Sequence, residues 1–359
     1  MAVFTHDIVP DGDLYIVLKS PDSKITVPII DLRVYGTDPP ALSRDATDVE
    51  ATRWYSPAIA THRYGRKEAV QHRFRVSSQT LTVVSPIFKI MLGGSWKESA
   101  PADATSPSNS TAIREISTGG WNLHALITVL NIIHGRHNKV PQKVNLKFFV
   151  DVAVIVDFWQ CAEAVSLATN LWRSRQGWHK TPVKYGKECI MFLFLAWVFS
   201  WSEVFSSMAY LVLEKGEGLE HVSTYNLPIA MILRKLNDKR VWALNLVYRN
   251  LGPLRKQLHD GRRACSTQCK YMSLGALDSH REAMKKEFGS WEYTAKDRSV
   301  YRVRSLLGKF PSLEWKCLND KDKAHPKGCS IEGYMESTFK EIEESFTQIQ
   351  LSDFKAKKD

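Results

Sequence analysis

Residues 81–94 read LTVVSPIFKIMLGG, an apolar run at helical spacing with a proline at its centre. Proline disfavours the α conformation in the residue before it, so a helix entering this run ends before the Ser85-Pro86 step. Ser85 then caps a second helix with Pro86 at its first position, where the missing N–H removes no hydrogen bond. Phe88, Met91 and Leu92 fall at i, i+3 and i+4, which gives that helix one apolar face, and Gly93-Gly94 stops it. Ser77 or Ser78 supplies the cap for the first helix. The stretch predicts two short helices meeting at a corner, with the proline as punctuation between them.

Just upstream, HRFRVSS alternates Phe74 and Val76 with Arg73 and Arg75, the pattern of a half-exposed strand. DGDLYIVLK (11–19) follows an Asp-Gly turn signal with Leu14, Ile16 and Leu18 in alternation and reads as a largely buried strand. Between these two, residues 20–72 lose definition. Pro21, Pro28, Pro39-Pro40 and Pro57 interrupt the pattern and only KITVPIIDLRV is strand-like, so a long insertion or irregular segment is expected. Downstream, SAPADATSPSNST (99–111) has loop composition and AIREIS (112–117) resumes as a strand. A helix from Trp121 carries Leu123, Leu126, Ile127, Leu130 and Ile133, with Gly135 beyond its end. Pro141 precedes another with Leu146, Phe149, Val150, Ala153 and Val156, and a third is expected over 162–172. Strands, paired short helices, a strand, then helices make an α+β arrangement.

From Arg173 onward the chain is helical and aromatic. IMFLFLAWVFSW (190–201) is about 12 residues, short of the roughly 20 that span a bilayer, and is read as a buried helix, not a membrane segment. Leu227, Met231, Leu233, Leu236, Trp242, Leu246 and Tyr248 are available for a second core. The tail places Met335, Phe339, Ile342, Phe346 and Ile349 in one apolar helical stripe. The net charge is +11, and residues 234–304 hold 17 Lys/Arg against 7 Asp/Glu, a local balance of +10. With no basic and apolar leader pattern at Met1 to Pro10 and six sparsely spaced cysteines, the expectation is an intracellular protein of nucleus or cytoplasm with reduced thiols.

FRVSSQTLTVVSPIFKIMLGGSWKES (74–99), REIS, LITVLNIIHGR, VPQKVNLKFFVDVAVIVDFWQCAEAV and LW together resemble the BTB/POZ domain, in the form common among filamentous-fungal proteins. The match takes in residues 11–19 and 73–172, about a third of the chain. It departs from the family in two places. The 20–72 segment separates strands that normally form a hairpin, and Ser77-Ser78 stand where animal members carry Ala-His-Lys. The resemblance implies a BTB/POZ-like domain over 11–172, a helical and basic region over 173–330, and an amphipathic tail helix over 331–359.

It also implies partners. BTB proteins that recruit the cullin scaffold of ubiquitin ligases carry an aromatic or aliphatic residue, any residue, then glutamate after the paired helices, and Trp96-Lys97-Glu98 resembles that triplet. An exposed Trp is a good interface anchor, although Trp96 beneath the following loop and a solvated Glu98 is the plainer account. BTB domains commonly form homodimers, for which Leu14, Ile16, Leu81, Phe88 and Met91 are the candidate face. The resulting expectation is a non-catalytic, dimerising scaffold or adaptor, with an unknown protein client and, in its specific form, a cullin-based ubiquitin ligase.

Three further constellations bear on function. Cys265-x3-Cys269 and His325-x3-Cys329, with Cys317 spare, admit a structural zinc, but the 55 intervening residues make the pattern unspecific and free thiols are the simpler account; no other cofactor is indicated. Lys/Arg interleaved with Trp242, Tyr248 and Tyr271 gives an alternative function, a chromatin- or transcription-associated factor gripping nucleic acid through Arg240, Arg255, Arg262 and Arg263. Such charges are more often the solvated faces of amphipathic helices. His134 and His137 flank the helix-terminating Gly135 and are read as structural. No Walker loop, G-x-S-x-G elbow, H-E-x-x-H motif, Rossmann glycine cluster or kinase signature occurs, so no enzyme is expected.

Overall fold

Strand β2 (Leu14–Lys19) is the centre of a four-stranded sheet ordered β1-β4-β2-β5, with β1 at Ala2–Asp7, β4 at Val70–Val76 and β5 at Arg114–Gly119. The structure is a computed structural model that describes residues 2–30, 70–94, 113–175, 181–290, 292, 294–308 and 331–355. β2 and β4 pair antiparallel with Leu14 opposite Val76 and Leu18 opposite His72, so the two sequence-predicted strands meet across the long segment between them. β5 lies parallel to β2 and β1 parallel to β4. Leu14, Ile16, Leu18, Phe74, Val76 and Ile116 form the buried face, as strand alternation requires. Val17, on the opposite face of the central strand, is buried as well. Gly12 allows the turn before β2, because a Cβ there would stand 2.4 Å from the Val76 carbonyl oxygen.

The corner read from residues 81–94 is present. Helix α1 (Ser78–Val84) is capped by Ser77, whose side chain accepts from the Thr80 N–H. Helix α2 (Pro86–Gly93) is capped by Ser85, which accepts from the Phe88 N–H at 3.2 Å. The Ser85 hydroxyl also donates to the carbonyl of Trp159 at 2.5 Å and so ties the corner to the end of helix α4 (Leu146–Trp159). Before α4 runs α3 (Leu123–Ile133), and after it α5 (Ala162–Arg175). Asn122 and Asn145 cap α3 and α4 through their side-chain oxygens. Both helices are apolar around most of their circumference because each is enclosed by neighbours.

Helices α6 (Lys187–Val198), α7 (Ser202–Lys215), α8 (Ala230–His259), α9 (Thr267–Phe288), α10 (Val300–Gly308) and α11 (Ile331–Thr347) follow. Phe149 of α4 packs against Phe199 and Trp201 beyond α6, with ring centroids 5.3 and 5.9 Å apart, and against Trp172 of α5. The second core expected around 226–258 is therefore part of one continuous apolar cluster that includes the sheet. Leu227, Leu233, Leu236, Leu246 and Tyr248 join it, whereas Met231 (64% exposed) and Trp242 (37%) lie on the outer face of α8. The α11 stripe of Met335, Phe339, Ile342 and Phe346 is buried, as is Ile349 beyond it.

The start of the 20–72 segment is ordered by polar clamps. Asp22 accepts from the Asn122 amide (2.9 Å) and the Leu123 N–H (3.2 Å), and the Thr26 hydroxyl donates to buried Asp151. Ile25 exchanges hydrogen bonds with Asn226, and β3 (Ile29–Ile30) pairs with β6 (Val222–Ser223), which fastens this segment to the chain after α7. Residues 31–69 lie outside the described residues. Among the described residues no helix is long and apolar enough to cross a membrane.

Candidate interaction site

The corner between α1 and α2 leaves apolar side chains outside. Leu81, Phe88 and Leu92 turn inward, so helical geometry turns Val83 (82% exposed) and Ile90 (60%) outward. Beside them an open groove of about 730 Å³ is lined by Val83, Val84, Pro86 and Leu92. Lys89 of α2, Arg114 at the start of β5 and Glu163 on the first turn of α5 bring both signs of charge to its walls. Gln160, which closes α4 in the left-handed conformation, also lines it.

The electrostatics at the head of α1 are set by Asp13. It accepts from the Ser78 N–H at 2.8 Å and from the Ser78 hydroxyl at 2.5 Å. Partial burial pushes its carboxyl up, but these hydrogen bonds and the nearby Arg114 outweigh that and hold it below its ordinary value. A fixed carboxylate at a helix N-terminus also favours α1 itself. Deeper inside, burial pushes the carboxyl of Asp151 up against the opposing pull of Lys147 and the Thr26 hydroxyl, and burial raises Asp157 to about 6.

The residues named from sequence fall as follows. Trp96, Lys97 and Glu98 lie outside the described residues, directly after the end of the paired helices. Leu14, Ile16, Leu81 and Phe88 are enclosed in the chain's own core and have no surface left to offer a second chain; Met91 is half-buried. The correction has a simple cause: strong apolar periodicity marks the face a helix or strand buries internally, while a docking face is written in the opposite positions. Val83, Lys89 and Ile90 are those positions, and the helical wheel of residues 86–93, which sets Ile90 opposite Phe88 and Leu92, carried the signal.

Cys265 is exposed and Cys269 buried, its sulfur 3.9 Å from the Ser273 hydroxyl, while Cys317, His325 and Cys329 lie outside the described residues. Among the described residues no three His, Cys, Asp or Glu side chains are gathered to hold a metal ion. Arg240 is no phosphate contact. It is buried, and its guanidinium donates to the Asn237 side chain and to the carbonyls of Ala295 (2.9 Å) and Arg298. Arg255 is exposed but paired with Asp278 at 3.1 Å, Arg262 sits 3.6 Å from Asp260, and Arg263 donates to Gln257 at 3.3 Å. His134 closes α3, its Nδ1 2.8 Å from the Leu130 carbonyl while Nε2 accepts from the Ser77 N–H at 3.2 Å. It joins α3 to α1 as a structural link.

Comparison of the chain with protein-family models, with curated proteins and with solved structures found no match in any of the three.

Proposed function

We propose that this chain is a non-catalytic protein–protein interaction module, a dimerising scaffold or adaptor of the BTB/POZ type working inside the cell, whose docking face is the α1–α2 corner. The observation that supports this reading most directly is the pair of exposed apolar side chains, Val83 and Ile90, beside an open groove that has charge of both signs on its walls. An apolar centre with a charged rim is the anatomy of a protein interface. The groove is wide to solvent and suits a protein segment better than a sequestered reaction. The specific form of the proposal is an adaptor that presents this corner to the N-terminal region of a cullin scaffold while the helical region holds a client.

The test is the affinity of the full chain for the N-terminal region of its host's cullin, by calorimetry, for wild type, Val83→Glu and Trp96→Ala/Glu98→Arg, with light scattering to give the oligomeric state. Submicromolar binding, weakened at least tenfold by Val83→Glu in a variant with unchanged circular dichroism, supports the reading. No binding by the folded wild type, or binding indifferent to Val83→Glu, removes the cullin form. A monomer at tens of micromolar removes the dimer.

A further inference from the structure

Among the described residues, strand β1 is an edge strand whose one hydrogen-bonded neighbour is β4. Its two ends are held differently. At the C-terminal end Arg136 donates to the carbonyls of Asp7 (2.8 Å) and Ile8 (2.7 Å), and the N–H groups of Ile8 and Val9 both reach the Arg75 carbonyl. The N-terminal half has the strand ladder and a cluster of rings. Phe4 lies beside His72 with centroids 5.2 Å apart and His6 beside Phe74 at 4.9 Å, both near parallel, while His6 and His72, with centroids 5.2 Å apart and planes 24° apart, meet edge to edge. Within that cluster Nε2 of His6 and Nδ1 of His72 are 2.9 Å apart, a hydrogen bond between two imidazoles.

We propose that β1 is an acid-releasable edge: the His6–His72 pair holds its N-terminal half to β4 while the rings are neutral, and releases it when both rings carry a proton. An imidazole–imidazole hydrogen bond needs one ring nitrogen that donates and one that accepts. A second proton converts the acceptor into a donor and sets two cations in contact. Val3 and Phe4 keep about half of their surface exposed, so the apolar burial that opposes release comes from their other half and from Phe74 beneath His6. β4 would then become the sheet edge among the described strands.

Among the described residues, few titratable groups surround the pair. Asp7 lies beside His6 and favours its proton; Asp22, from the loop after β2, does the same for His72, and His124 of α3 opposes it. Leu18, the β2 residue paired with His72, is apolar, and Arg73 of β4 is engaged by Glu115 at 3.1 Å. Burial outweighs the two carboxylates: it holds His6 below 6.5, and with His6 and His124 lowers His72 to about 4. The sign follows. For a histidine whose pKa is depressed in the attached state, attachment is fully favoured above 6.5 and lost as pH falls from 6.5 toward 4. The opening constant rises by up to about tenfold per pH unit for each proton taken up.

Hydrogen exchange of the full chain, read by mass spectrometry at pH 7.5, 6.0 and 5.0 and corrected for intrinsic rates, tests this. The expected result is a loss of protection of at least tenfold across residues 3–6 between pH 7.5 and 5.0, with α4 and α6 unchanged. His6→Phe, which keeps a ring beside His72 and removes one of the two titrating groups, should cut the pH dependence to that of His72 alone. Equal protection at all three pH values, the same acid loss in His6→Phe, or simultaneous loss in β1 and α4 would each overturn the proposal. Should His6→Phe not fold, the imidazole titrations of wild type decide: two rings titrating independently near 6.5 overturn it, and depressed, coupled titrations with loss of β1 protection uphold it.

Discussion

Ser85 is one hydroxyl doing two things, and removing it has a cost that can be worked out. The side chain is 1% exposed; it accepts from the Phe88 N–H at 3.2 Å and donates to the Trp159 carbonyl at 2.5 Å. Ser85→Ala deletes an N-cap, worth about 1 kcal/mol. It also leaves a buried carbonyl at the end of α4 without this donor, a loss of about 1–3 kcal/mol. The expected destabilisation is about 2–4 kcal/mol, large against the roughly 5–15 kcal/mol of a typical domain. Ser85→Gly separates the two contributions, since glycine caps nearly as well as serine but cannot reach Trp159, and should lose about 1–3 kcal/mol. Urea unfolding followed by far-ultraviolet circular dichroism and tryptophan fluorescence measures both, provided the slope is unchanged. A loss under about 0.5 kcal/mol for Ser85→Ala would refute the view that this serine locks the corner onto α4.

Two other perturbations follow from the same geometry. Burial lifts the Asp157 carboxyl from 3.8 to about 6, so between those values the unfolded chain ionises first and stability falls as pH rises; Asp157→Asn should gain roughly 1–2 kcal/mol at pH 7, after discounting for partial exposure, and match wild type at pH 3.5. Thermal unfolding of both at the two pH values is the check, and a difference that ignores pH removes the explanation. Arg240→Ala strips the donors from the Ala295 and Arg298 carbonyls and should destabilise by about 2–5 kcal/mol, with oligonucleotide affinity unmoved in the folded variant; intact stability with weakened oligonucleotide binding would reverse that assignment.

How much of this could be read from the chain depends on how far apart the interacting residues are. The corner at Ser85-Pro86 was legible because caps, proline and glycine act within a few residues. The α11 stripe was legible because Met335, Phe339, Ile342 and Phe346 all serve one buried face. β1 was not, since Ala2–Asp7 has no clear apolar alternation and earns its place through pairing with Val70–Val76 and the imidazole contact across 66 positions. Arg240 misled for a related reason. In a segment, residues 234–304, that holds 17 Lys/Arg, nothing local marks which guanidinium turns inward to distant carbonyls.

By itself, then, the amino-acid order determined the α+β succession, the paired helices, their caps and the inward faces, because each follows from backbone sterics and periodicity acting over one or two turns. Only the tertiary structure decided which arginine is buried, and that one continuous core runs from the sheet to the last helix. Those outcomes rest on contacts between residues tens to hundreds of positions apart, whose partners are chosen by packing and hydrogen-bond satisfaction across the whole chain and leave no signature in any short stretch of it.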